Sequence, residues 1–279
     1  MSGLQWWCAA TGIPWTWEWR AYPGVWLFVA LIAFLYWRLA YGTAERRAGR
    51  SAGQLAAAVA GLALIWVALD WPVGALGGGY LASVHTVQYL LLAMIVPVLL
   101  VHGLPEEAEA ALARRPLLAR VGSVMFHPMA AVAIYVGAFL ATHAPRVTDA
   151  LMVTQAGSFV IDAAWLMSGL VFWWPIVGTP PGRRPLAPPF KILQIFLGSL
   201  AHTPVAMWLM LSHFPLYATF ELAPPFASLT PKMDQQIASG LMILVGGFFV
   251  LGAISTIFFR WQGLGEERTT TLREPGPAA

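Results

Sequence analysis

Charge is what this chain has least of. Its 279 residues include only 16 Lys or Arg and 13 Asp or Glu, 10% in all, whereas soluble globular domains carry about 25%. The deficit runs the whole length and excludes a soluble enzyme domain, a disordered chain and an ordinary nucleic-acid-binding protein. Cysteine is nearly absent too. A single Cys8 excludes an intramolecular disulfide and a thiolate cluster within one chain. Also missing are G-x-x-x-x-G-K-[ST], H-E-x-x-H, C-x-x-C and G-x-S-x-G, so nucleotide hydrolysis, zinc proteolysis and serine acyl transfer lack their usual residues. The spans show no paired, interrupted halves of the kind that mark many secondary transporters. The first 20 residues lack the basic and apolar regions of a cleavable signal. Their five Trp residues instead predict an interfacial anchor, and Cys8 among them reads best as a structural thiol.

What is present is apolar sequence: 58% hydrophobic residues and a mean hydropathy of +0.67. Seven long runs stand out, roughly 23–42, 53–70, 80–101, 127–143, 150–174, 190–212 and 235–260. Each approaches the ~20 residues needed to cross ~30 Å of hydrocarbon. None alternates as a barrel strand does, so the expected fold is all-α, a polytopic bundle of seven transmembrane helices. Basic residues give the orientation, because Lys and Arg near span ends stay on the cytoplasmic side. Thirteen of the sixteen fall on one side: Arg38, Arg46, Arg47, Arg50, Arg114, Arg115, Arg120, Arg183, Arg184, Lys191, Arg260, Arg268 and Arg273. Only Arg20, Arg146 and Lys232 fall on the other. The N-terminus is expected outside and the C-terminus in the cytoplasm. The domains then read as an outward-facing Trp-rich segment 1–22, a transmembrane domain 23–262 and a cytoplasmic tail 263–279. The excess of base is a topology signal and calls for no nucleic acid.

Ionisable groups at membrane depth are candidates for function. His85 lies about one helical turn inside span 3, followed by Gln88 and Tyr89 on the same face. His143 closes span 4, Asp149 opens span 5, His213 closes span 6, and Asp234 with Gln235 opens span 7. All of these group toward the outer face. Asp162 and His202 lie deeper, near the middles of spans 5 and 6, and a hydrogen bond between them is the natural pairing. Imidazoles from three helix ends at one level suit a transition metal. The thioethers of Met152, Met207, Met210 and Met233 would favour Cu(I). The candidate metal ligands are His85, His143, His213 and Asp234. His102 and His127 read as loop and capping residues on the other side.

Three segments, LASVHTVQYLLLAMIVPVLLVHGLP (81–105), SGLVFWWPIVGTPP (168–181) and MDQQIASGLM (233–242), together resemble the CtaG-type cytochrome c oxidase assembly proteins. T-H-A-P at 142–145 and P-L-Y at 215–217 fit the same pattern. The resemblance covers most of residues 60–262. It implies a non-enzymatic role in maturing a haem-copper oxidase in a bacterial inner (plasma) membrane, with copper insertion as the usual proposal and oxidase subunits and the lipid bilayer as partners. His85 corresponds to the first histidine of an H-x-x-Q-H motif, His143 to that of T-H-x-P, and Asp234, Gln235 and Gln236 to the last-span motif. Two departures bear on copper. Tyr89 stands at the second histidine of the first motif, and Gln155, Ser158 and Asp162 occupy span 5 where the family carries histidines. The alternative expectation is a structural subunit of a respiratory oxidase complex or supercomplex that has lost copper binding. A further one is a transporter or enzyme for a small apolar or haem-like ligand, with Asp162 and His202 as its buried polar site.

Overall fold

In hydrocarbon a peptide group has no water to bond, so each apolar run pairs its own backbone by forming a helix. The structure, a computed structural model, describes residues 4–271, and no β-strand occurs among them. Helix α1 (Pro23–Tyr41) leads through the short α2 (Ala44–Ala48) to α3 (Ala52–Leu69). The start of α3 is fixed by a reciprocal cap: Gln54 N donates to Ser51 Oγ (3.1 Å) and Ser51 N to Gln54 Oε1 (2.8 Å). After the small α4 (Val73–Gly79) comes the third span, built from α5 (Ala82–Leu90), a π-helical segment (Leu91–Ile95) and α6 (Val96–His102). Helices α7 (Glu106–Ala113) and α8 (Pro116–Met125) precede α9 (Pro128–His143). Then follow α10 (Pro145–Met152), α11 (Gln155–Val177), α12 (Pro188–Ser199), α13 (His202–Leu211), α14 (Ala218–Glu221) and α15 (Pro231–Thr271).

Six of these runs are long and apolar enough to cross a membrane, and a seventh is counted if α8 and α9 form one span bent by 71°. The fourth run is the marginal one because α9 alone has 16 residues, about 24 Å at the helical rise. Pro128 explains the bend: it begins α9 where its missing N–H costs nothing, and it disfavours helix at the preceding residue. Span 6 is likewise interrupted, between Ser199 and His202, where an unbroken span was expected. Span 5 starts later than its apolar run implies, because residues 145–152 form the separate α10. The expected tail is helical as far as Thr271, and residues 272–279, with Arg273, lie outside the described residues.

The third and fifth spans form the centre, each buried along 61% of its most apolar stretch, whereas α15 is buried along only 11% and lies at the periphery. Gly169 of α11 marks the closest approach of the central pair. A Cβ there would sit 2.5 Å from the Ala93 carbonyl and 2.8 Å from Pro97 Cγ. Ala93 belongs to the π-helical segment, and its carbonyl accepts from Trp173 Nε1 of α11 at 3.1 Å. The irregular turn therefore exposes an acceptor that the neighbouring span uses.

The N-terminal segment departs from the expected interfacial anchor. Trp17 and Trp19 are 66% and 62% exposed, but Trp7 is only 1% exposed. Its chain enters the bundle, with Ala10 N donating to Met152 O (3.1 Å) and Gly24 N to Trp6 O (2.9 Å). The glycines of α4 make room, since a Cβ on Gly79 would lie 2.6 Å from the Ala10 Cα. The hydropathy of Trp is satisfied at an interface or in a core; here a buried acid, described below, draws Trp7 inside.

Gly169→Ala should overpack the central crossing and cost about 1–3 kcal/mol, seen as a lower melting temperature by far-UV circular dichroism in detergent. Gly137→Ala, where an added Cβ meets nothing within 4 Å, should melt no lower than the parent.

Candidate functional site

Four helix ends meet at one end of the bundle: the start of α5, the end of α9, the end of α13 and the start of α15. Asp234, in the first turn of α15, is what locks the meeting. Its carboxylate is 2% exposed and accepts from the backbone N–H groups of Ala82 (2.5 Å) and Ser83 (3.2 Å) and from the Ser83 hydroxyl. It thus caps the amide end of α5, where negative charge is favoured. Gln235 beside it accepts from Leu216 N (2.7 Å) and donates to Leu209 O (3.0 Å), which holds the α13–α14 connection. Asp149 does the same for α14, accepting from Ala218 N (3.1 Å), Thr219 N (2.9 Å) and Thr219 Oγ1 (2.8 Å).

One turn above the Asp234 cap, His85 points into the bundle. Its ring lies 4.7 Å from that of Trp165 and 5.6 Å from that of Phe220. Neither buried ring nitrogen makes a hydrogen bond of full geometry among the described residues, although the Gln88 side chain and the Gly77 backbone lie close by. His143 also neighbours Trp165, their ring centroids 6.3 Å apart. His143 Nδ1 donates to Phe139 O at 2.9 Å, so Nε2 keeps its lone pair, the arrangement in which a histidine ligates a metal. Trp165 is held by Thr142, whose hydroxyl accepts its Nε1 at 2.8 Å. Tyr217 donates to the His143 carbonyl at 2.9 Å. These residues enclose a cavity of about 20 Å³ lined by His85, His143, Thr142, Thr148, Tyr217 and Gln235, among others. That is room for one water-sized particle.

A second cavity, of about 10 Å³, lies on another side of His85 and is lined also by Cys8, Gln88, Met152, Ser158 and Asp162. Cys8 Sγ donates to Leu69 O at 3.3 Å, Gln88 Nε2 to Ala68 O at 2.8 Å, and Trp7 Nε1 to Asp162 Oδ2 at 2.8 Å. Ser158 Oγ is buried and unpartnered. Gln155 Oε1 accepts from the amides of Trp6 (2.6 Å) and Trp7 (3.1 Å). The span-5 positions that depart from histidine therefore receive the N-terminal segment.

The structure brings His85 and His143 to one cavity but not the whole expected set. His213 follows the end of α13 and is exposed, outside the cavity lining. Asp234 lies beneath the site with its oxygens committed to α5. Among the described residues no three His, Cys, Asp or Glu side chains are grouped to hold a metal. The expected Asp162–His202 bond is replaced by Trp7 on one side and Tyr89 on the other. Tyr89 shares a hydrogen bond with His202 Nε2 and another, 3.1 Å, with the Tyr135 hydroxyl, so the departure at Tyr89 serves a hydroxyl–imidazole chain. Thr142, Tyr217 and Trp7 were not singled out as site residues from sequence, whereas Met152 was among the thioethers named there. T-H-A-P and P-L-Y flagged the first two, and nothing local flagged Trp7.

The class these features define is a multi-pass helical membrane protein with a small, partly polar pocket where four helix ends meet. A model of the cytochrome c oxidase caa3 assembly factor family (Caa3_CtaG) matches residues 31–263, and the chain belongs to that family. The chain is 27% identical over 273 residues to the uncharacterized protein Mb0105 of Mycobacterium bovis and, equally, to the uncharacterized protein MT0111 of Mycobacterium tuberculosis. The alignment covers 90% of this chain and 41% of each relative, so the chain spans less than half the length of the curated relatives it matches. No solved structure matches it.

Asp234→Ala should strand two buried amides and a hydroxyl and cost about 3 kcal/mol, at the usual 1–3 kcal/mol per unsatisfied group. Asp234→Asn, which keeps one acceptor oxygen, should lose less. Thermal melting of the two variants side by side checks the order.

Proposed function

We propose that the chain serves assembly of a haem-copper cytochrome c oxidase by holding Cu(I) between His85 and His143 and releasing it by ligand exchange. The family supports the oxidase role, and His85 carries the copper reading: a buried imidazole with neither nitrogen in a hydrogen bond of full geometry, facing a cavity of one-particle size that His143 also lines. A hard divalent ion would want carboxylates, and the two nearby are spent, Asp234 on α5 and Asp162 on Trp7. Soft Cu(I) takes imidazole, thiol and thioether readily, and Cys8 and Met152 line the other cavity against His85. The role is non-catalytic, and copper is the cargo. The chain sits in a bacterial plasma membrane, N-terminus outside, with the His85 end facing outward; the bias of its basic residues supports this.

A structural role beside the oxidase, without metal, is the second reading. The absence of three grouped ligands among the described residues favours it. Stoichiometric co-purification with the mature oxidase, together with no copper uptake, would select it.

Anaerobic titration of the purified chain with Cu(I) against a competing chelator should show one bound equivalent. His85→Ala should abolish it, His143→Ala should weaken it about ten-fold or more, and His213→Ala should leave it unchanged. Binding that His85→Ala does not alter would overturn the copper assignment, while loss of oxidase activity on deletion of the chain tests the assembly role separately.

A further inference from the structure

A large cavity lies at the other end of the bundle, lined in part by the motif segments 81–105 and 168–181 but by none of the proposed copper-site residues. It is a groove of about 700 Å³ between the end of α6, the end of α11, the start of α12 and the C-terminal half of α15. Its walls are apolar and aromatic, chiefly Trp173, Ile176, Phe248, Phe249 and Ile257, and its rim carries Lys191 from α12 and Arg260 from α15. Among the described residues no carboxylate lines it. Glu109, the acid near Lys191, is taken up by Trp174 Nε1 (3.0 Å) and Thr179 N (3.1 Å). The groove is deep because Gly252 and Ala253 form part of its lining, and a Cβ on Gly252 would meet nothing within 4 Å. From Arg260 down to Phe248 is twelve residues along one helix, or about 18 Å.

Two cations on separate helices, at the mouth of an apolar trough running that far toward the membrane interior, match a molecule with an anionic head and a long apolar body. We propose that this groove is a binding site for an anionic phospholipid of the bilayer, its phosphate between Lys191 and Arg260 and an acyl chain along Phe248, Phe249 and Gly252. Charge complementarity selects the head group, since each basic side chain near an anionic lipid surface adds affinity. The groove's length holds the chain. A phospholipid seated here would touch both α12 and α15, which pack against each other and each contribute to the lining. The site is independent of the His85 cavity, at the other end of the bundle.

The test uses the whole chain, extracted in detergent and titrated with phosphatidylglycerol or phosphatidylcholine of the same acyl length, with bound lipid counted by native mass spectrometry. Phosphatidylglycerol should bind at least ten-fold more tightly. Lys191→Gln with Arg260→Gln should remove the preference, about five-fold per cation, and the exposed Arg260→Gln alone should remove part of it if the double variant does not fold. Gly252→Leu, which fills the trough and keeps both cations, should weaken both lipids. Equal binding of the two lipids by the parent chain, or a preference that survives the double substitution, would overturn the proposal. So would tight binding of haemin at the groove that phosphatidylglycerol fails to displace.

Discussion

The contact on which the rest of the His85 end of the bundle depends is the carboxylate of Asp234 on the amides of Ala82 and Ser83. A helix that begins inside a membrane protein leaves its first N–H groups without partners, and in hydrocarbon no water relieves them. Asp234 relieves them from the last span. That single device joins the first turn of α15 to the first turn of α5, across 152 residues of sequence. It fixes the rotation of α5, and rotation of α5 decides where His85 points. Gln235, one residue on, ties the α13–α14 connection to the same turn, which carries Tyr217 to the His143 carbonyl. The D-Q-Q motif is thus a mechanical part that shapes the cavity from below, with a carboxylate too committed to bind a cation itself.

The same accounting explains the departures in span 5. A buried Asp is costly in hydrocarbon unless paired, and Asp162 is paired by an indole N–H drawn from the N-terminal segment. Once Trp7 is inside, Cys8 is buried beside it, donating to the Leu69 carbonyl, and the flanking backbone is held by Gln155 at Trp6 and Trp7 and by the Met152 carbonyl at Ala10; α4 is glycine-rich where the segment passes. Gln155 and Asp162, where the resemblance led to an expectation of histidine, are thus both used to hold the N-terminal segment. Its burial brings the Cys8 thiol to the cavity that His85 and Met152 also line.

The spans were legible because hydropathy over twenty residues reports a solvent, and solvent is what a span responds to. Their breaks go with proline, as at Pro128: Pro97 lies four residues after Ala93 of the π-helical turn and Pro204 four residues after Leu200, so in each case the i−4 carbonyl loses its helical donor. Depth could likewise be read for His85, His143 and Asp162, since it depends on position along a helix. Partners could not: Asp162 was matched to His202 by depth alone, while its true partner comes from a segment 155 residues away. Trp7 misled for a physical reason. An indole is equally at home at a headgroup and in a core with a hydrogen-bond acceptor, and only the fold supplies the acceptor.

Much of the buried polar surface finds partners: Gln88 Nε2 reaches the Ala68 carbonyl, Gln194 Nε2 the Phe172 carbonyl, Trp173 the carbonyl of a distorted turn, and Trp165 a threonine hydroxyl. Like Ser158 Oγ, Trp15 Nε1 and Trp71 Nε1, among others, His85 lacks a full partner, and it differs from them in facing a cavity that a second imidazole also lines. An imidazole has a donor and an acceptor in its neutral form, so leaving both short of a full bond costs up to about 1–3 kcal/mol each. An alanine or leucine would fill the place at less cost. Under the copper proposal a bound ion would offset that cost by completing the ring, and with Asp234 committed to α5 the second donor at the cavity would be the His143 imidazole.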